Sequence, residues 1–251
     1  MNETVSEPKP PTSAIDSSRA ATRRMFIAAI ALGAALLISL LVTRYLAYRD
    51  VQAIFYGQVL VPAREAFDFH LVDQDGKAFQ LSQLRGKVVL FSFGFTHCPN
   101  VCPTTLSDLA KVYRALPAND QKIVQVLFVS VDSKRDTPAT LKSYIPYFDD
   151  SFIGLTGTQA EVAEAAKAYG AFYEFVPDST GNPDSYTVNH SAITYLITPD
   201  GKWKLLYNFD QLTDSKRMIQ DIERVLEGAY PANHLPRTRD VIFPLLTERS
   251  R

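Results

Sequence analysis

The sequence predicts an α/β domain preceded by one membrane-spanning helix. Three observations carry this. A charge-free apolar run, Met25 to Thr43, stands near the N-terminus. Beyond it, short runs rich in β-branched and aromatic residues alternate with amphipathic helical patterns, as expected for helices packed on a sheet. Turn signals, Asp75-Gly76 early and Pro199-Asp200-Gly201 late, punctuate the alternating region. The 251 residues allow one sizeable domain with appendages.

Residues 1–22 are polar and rich in Pro and Ser, which predicts a disordered cytoplasmic tail. Their Glu3, Glu7 and Asp16 argue against a mitochondrial transit peptide. The run that follows approaches the ~20 apolar residues a bilayer helix needs. No small-residue cleavage site follows it, because Arg44-Tyr-Leu-Ala-Tyr48 is bulky, so residues 23–47 are read as an uncleaved signal anchor. Arg19, Arg23 and Arg24 precede the run and Arg44 and Arg49 follow it, which places the N-terminus in the cytoplasm by one charge. The expected location is a bacterial inner membrane, crossed once, with the domain facing the periplasm; a mitochondrial inner membrane is the alternative. Residues 48–66 read as a juxtamembrane linker, 67–229 as the folded domain and 230–251 as a C-terminal tail without periodicity.

Within the domain, Phe67–Val72 and Lys77–Leu81 flank Asp75-Gly76 as an N-terminal β-hairpin. Val88–Phe93 is a continuous apolar run, suited to a strand covered on both faces. Pro103–Leu116 is predicted helical, with Leu106, Leu109, Ala110 and Tyr113 on one face. Ile123–Val131 reads as a strand and Thr137–Phe148 as a helix. Thr158-Gln-Ala-Glu161 is a capping box opening a helix to Tyr169. Ala192–Thr198 and Trp203–Phe209 form a second hairpin, and Asp214–Glu227 closes the domain as a helix with Met218, Ile222, Val225 and Leu226 inward. This order is the thioredoxin-like arrangement with an N-terminal β-hairpin and an inserted helix.

Composition excludes some functions. With 26 basic and 27 acidic residues, nothing attracts nucleic acid by bulk charge. Two cysteines, Cys98 and Cys102, are too few for a disulfide scaffold and suggest one site. They lie in Cys98-Pro-Asn-Val-Cys102-Pro103, directly after the buried strand. Proline suits the first helical position, so Cys102 is expected to cap the helix while Pro99–Val101 turn Cys98 back beside it. The positive helix end then draws both sulfurs toward thiolate.

Three readings of the pair stay open: inert core thiols, a redox pair, or a metal site. Thiolates select Cu(I) or Zn, and zinc wants four ligands. One good additional donor is found, so a three-coordinate soft ion fits better. That donor is His190, in Tyr186-Thr-Val-Asn-His190-Ser, at the entry to a predicted strand. In thioredoxin-like sheets this loop faces the start of the cysteine-bearing helix, and oxidoreductases of that fold usually carry a proline there. His97 adjoins Cys98 but is expected to point away. His70 and His234 have no assigned role.

The stretches Gly94–Leu106 (GFTHCPNVCPTTL), Val131–Pro138 (VDSKRDTP), Val188–Ser191 (VNHS) and Asp73–Lys77 leading into Leu84–Lys87 resemble the Sco/SenC family, in the same order, between about Phe67 and Leu226. The resemblance implies a copper metallochaperone, not an enzyme, with copper held by Cys98, Cys102 and His190. It implies Cu(I), with Cu(II) as a second state, and a role in building the copper centre of cytochrome c oxidase. The implied partners are the copper-acceptor subunit of that oxidase and other copper chaperones, with the membrane reached through one helix and no nucleic acid. The family usually carries Asp where Asn100 and Asn189 stand, so two negative charges are missing beside the site. Asp132 and Asp136 match family positions and are expected to cap a helix and carry surface charge. The alternative function is a thiol-disulfide oxidoreductase that reduces the cysteines of a copper-acceptor protein through Cys98 and Cys102. A peroxidase of a related fold would need Thr96 and Arg135 beside an activated cysteine; the paired cysteines argue against it.

Overall fold

A computed structural model describes residues 12–179, 182 and 185–228. The elements run α1 (Thr12–Ile54), β1 (Gln58–Glu65), β2 (His70–Asp73), β3 (Ala78–Gln80), β4 (Val88–Gly94), α2 (Val101–Ala115), α3 (Ala118–Gln121), β5 (Val124–Ser130), α4 (Pro138–Tyr144), β6 (Ile153–Thr156), α5 (Gln159–Ala168), β7 (Tyr173–Pro177), β8 (Tyr186–His190), β9 (Ile193–Ile197), β10 (Lys202–Asn208) and α6 (Ser215–Leu226).

Helix α1 contains the apolar run, and its residues 22–54 are long and apolar enough to cross a bilayer, with none of the apolar window buried against protein. Two expectations change here. The stretch from Thr12 is helical, not disordered. The supposed linker at 48–66 is helix through Ile54 and then strand β1, which pairs antiparallel with β10. Pro62 lies within β1 and the register shifts between Val59 and Arg64; a proline is tolerated because β1 is an edge strand with one ladder only. The tail at 230–251 lies outside the described residues.

Eight strands form one sheet in the order β1-β10-β9-β4-β5-β6-β2-β3. The β4-β5 and β5-β6 pairs are parallel and the remaining pairs antiparallel. This is the thioredoxin-like α/β architecture with an added N-terminal hairpin, β2-β3, turning at Gly76 (φ +78°). All seven residues of β4 are buried, as its unbroken apolar run requires. Around it lies an aromatic cluster in which Phe91 stacks on Tyr195 at 4.9 Å and meets Tyr169 edge-on at 4.9 Å. Thr158 and Glu161 form the expected capping box of α5. Asp214 caps α6, whose Met218, Ile222 and Val225 are buried.

Two strands, β7 and β8, stand apart as a separate antiparallel pair with Tyr173 opposite His190. They had no sequence prediction. This small hairpin is the carrier of the histidine.

Candidate metal centre

Strand β4 delivers the chain to the site and ends at Gly94. A Cβ at that position would lie 2.6 Å from Cys102 Sγ and 2.7 Å from the Phe128 ring. A glycine is therefore needed for Cys102, itself 3% exposed, to settle against the strand end. Helix α2 begins at Val101, earlier than its prolines suggest, so Cys102 is not its cap but sits in its first turn. Pro103 is tolerated because first-turn amides lack intrahelical partners, and a missing N–H there loses nothing. The free amide of Cys102 instead donates to Cys98 Sγ at 3.4 Å, which fixes the turn back.

His190 ends β8 and reaches over from the other side. Its Nε2 lies 3.3 Å from Cys102 Sγ. Its Nδ1 lies 3.2 Å from the Ser191 carbonyl, which accepts only if Nδ1 carries the proton; Nε2 then presents its lone pair to the sulfurs. Ser191 is tied to Phe172 three times, its amide and its hydroxyl donating to the Phe172 carbonyl at 2.9 Å and 3.3 Å and its hydroxyl accepting from the Phe172 amide at 3.0 Å. Phe95 meets the imidazole edge-on at 5.8 Å. The donor atoms of Cys98, Cys102 and His190 all lie within 4.8 Å of one another, and no other His, Cys, Asp or Glu among the described residues joins them.

The two sulfurs are not equivalent. Cys98, half-buried, is held down to about 4 by the hydrogen bond from the Cys102 thiol, helped by the Cys102 amide, while burial opposes. Cys102 is pushed up by donating that bond, by burial and by the Cys98 charge. The metal-free pair thus shares one proton, with Cys98 as thiolate and Cys102 as thiol. The expectation that both lean toward thiolate is corrected: two buried anions cannot share so small a space without a cation.

Asp132 and Asp136 are fully buried, which overturns their reading as surface charges. Asp136 accepts from the Thr96 amide at 2.8 Å, the Thr96 hydroxyl at 2.6 Å and the Ser130 hydroxyl at 2.6 Å, so it fixes the loop two residues before Cys98. Asp132 pairs with Arg135 and accepts from the Tyr186 hydroxyl at 2.7 Å. Burial and that bond push the Tyr186 hydroxyl up to about 12, so it remains a donor. Both aspartates follow the C-terminal end of β5, beside the end of β4 that leads to the cysteines. Ligand sites gather at the carboxyl ends of parallel strands, and that rule could have drawn attention to them.

The remaining candidates lie outside the donor group. His97 is exposed, with Nδ1 3.1 Å from Thr96 Oγ1 and 3.9 Å from Asp136. His70 is exposed on β2. His234 lies outside the described residues. Asn100 and Asn189 are both exposed. Thr96 is engaged with Asp136 and Arg135 with Asp132.

Two sulfurs and one imidazole are a soft donor set. They suit Cu(I), which accepts low coordination, and fall one donor short of a closed zinc site.

Comparison with known proteins agrees with this chemistry. A family model described as SCO1/SenC matches residues 59–227. A "SCO2-like protein" of Rickettsia conorii is 39% identical over 153 residues, covering 61% of this chain and 73% of the relative. The structure of Bradyrhizobium japonicum ScoI with copper bound is 40% identical, with a TM-score of 0.54, over 61% of this chain and 98% of the other. The structure of BsSco, described as having a disulfide switch and as a member of the Sco family of cytochrome c oxidase assembly proteins, is 29% identical, with a TM-score of 0.53, over 69% of this chain and 98% of the other.

Proposed function

The chain belongs to the SCO1/SenC family, and from that premise we propose that it is a membrane-anchored copper metallochaperone that holds Cu(I) through Cys98, Cys102 and His190. It delivers copper to, or prepares, the copper centre of cytochrome c oxidase. The observation that carries this is the convergence of two sulfurs and one imidazole nitrogen within 4.8 Å on a thioredoxin-like frame. Binding Cu(I) releases the one proton the sulfurs share, so copper replaces a proton in the same buried space. His190 supplies the third donor through Nε2, oriented by the Ser191 carbonyl. Helix α1 holds the domain on the membrane, with the site on the exported side.

Deletion of the gene in its host tests the role. Copper and activity of the oxidase should fall, be restored by the parent chain, and not be restored by Cys98→Ser. Restoration by Cys98→Ser would contradict a role through the site.

A dithiol reductase is the second reading, and one observation favours it. A half-exposed thiolate at Cys98 beside a buried thiol at Cys102 is the arrangement of a reducing pair. His190 distinguishes the two: tight copper binding depends on it, and thiol reduction does not.

A further inference from the structure

His190 rides on a strand that the main sheet does not hold. β8 pairs only with β7, and neither joins the eight-stranded sheet. The imidazole is therefore placed over the cysteines by the ladder to β7, by Val188 buried in mid-strand and by the contacts at the two ends of β8. At one end are Ser191 and Phe172. At the other, Tyr186 is gripped by the loop after β5. Its hydroxyl donates to Asp132 Oδ1 at 2.7 Å, its carbonyl accepts from Arg135 Nη1 at 2.9 Å, and its ring lies under the Arg135 guanidinium at 3.8 Å. Arg135 in turn pairs with the fully buried Asp132, and its guanidinium stands 5.8 Å from the Phe95 ring that packs on His190.

We propose that Arg135 and Asp132 form a positioning clamp that fixes β8, and through it sets His190 against the two sulfurs. This rests on the reading of Cys98, Cys102 and His190 as the copper ligands. Four residues of extended strand, about 13 Å, separate Tyr186 from His190, so a tilt at the gripped end is carried to the imidazole. Arginine suits the place because one rigid planar group pairs with a carboxylate, bonds a carbonyl and stacks flat on a ring at once; the compact ammonium of lysine cannot hold all three in that geometry. Arg135 and Asp132 touch no metal in this scheme and act through His190.

A double-mutant cycle on the full chain in detergent tests the clamp, with copper affinity measured by competition against a chelator of known strength. Arg135→Lys should weaken copper binding by ~10- to 100-fold, as loss of an outer-shell partner does. In a His190→Ala background the same change should add less than about twofold, since nothing remains to position. Tyr186→Phe keeps the ring and the ion pair and removes one bond, so it serves if Arg135→Lys does not fold. It should weaken binding a few-fold, again only while His190 is present. In the Cu(II) form, Arg135→Lys should also reduce the nitrogen hyperfine signal of the imidazole in electron paramagnetic resonance, which a general loss of stability would not do. Equal losses with and without His190, or parent affinity in both variants, overturn the clamp while leaving the copper site standing. A parent chain that binds no copper overturns both.

Discussion

Gly94→Ala probes the centre of the site with a single methyl group. The new Cβ would stand 2.6 Å from Cys102 Sγ and 2.7 Å and 3.1 Å from two atoms of the Phe128 ring. Real Cβ contacts are not that short, so something must move. Phe128 is 1% exposed and held in the core, which leaves the sulfur as the group displaced. Overpacking of this kind costs about 1–3 kcal/mol. For a domain of this size that lowers Tm by about 2–12 °C. Copper affinity should fall on the order of tenfold or more, because Cys102 leaves the position that brings it to His190. Gly154→Ala is the control: its Cβ would meet Ile145 at 2.7 Å and Leu141 at 3.2 Å, away from the site. It should lower Tm comparably and leave copper binding alone. The assay is a thermal melt of each metal-free variant followed by a Cu(I) competition titration. Gly94→Ala with parent Tm and parent affinity would refute the placement of Cys102 against the strand end.

Further predictions follow from the same geometry. His190→Ala should weaken Cu(I) binding by at least ~10- to 100-fold without abolishing it, and Cu(II), which prefers imidazole, should suffer more; His97→Ala should change little in the same titration. Below neutral pH, Cys98 should alkylate well before Cys102, with its rate falling only as pH drops through about 4; equal labelling of both, read by mass spectrometry, contradicts the shared-proton pair. The sign for stability is fixed by the depressed Cys98 value: its contribution is present above the unfolded thiol range and is lost as pH falls through about 4, while the raised Cys102 opposes it at high pH. Asp136→Ala removes a buried acceptor that takes three hydrogen bonds and should cost about 3 kcal/mol in denaturant unfolding. A reporter fused after Arg251 should be active only in an exported compartment, and cytoplasmic activity would remove the placement.

The features legible in the sequence are those set by local pattern. The unbroken run of β4, the turn at Gly76, the capping box at Thr158 and Glu161, and the amphipathic face of α6 each announce themselves within a dozen residues. The cysteine pair was legible by spacing, and His190 by its place in the fold. What escaped depends on partners far along the chain. β1 reads as linker because Pro62 and the polar ends of Gln58–Glu65 hide an edge strand whose partner, β10, lies well over a hundred residues on. β7 and β8 pair only with each other, so neither carries the continuous apolar pattern of a core strand. Asp136 looks like a solvated charge until Thr96, forty positions earlier, is seen donating to it twice. Helix α2 starts before its proline because the first turn does not use the amide that proline lacks.

X-ray absorption of the full chain loaded with Cu(I) tests the central claim most directly. One copper per chain is expected, bound by two sulfurs and one nitrogen, with the nitrogen lost in His190→Ala and the metal lost in the Cys98→Ser, Cys102→Ser double variant. A chain that retains no copper, or one whose copper persists unchanged without the two cysteines, would contradict it.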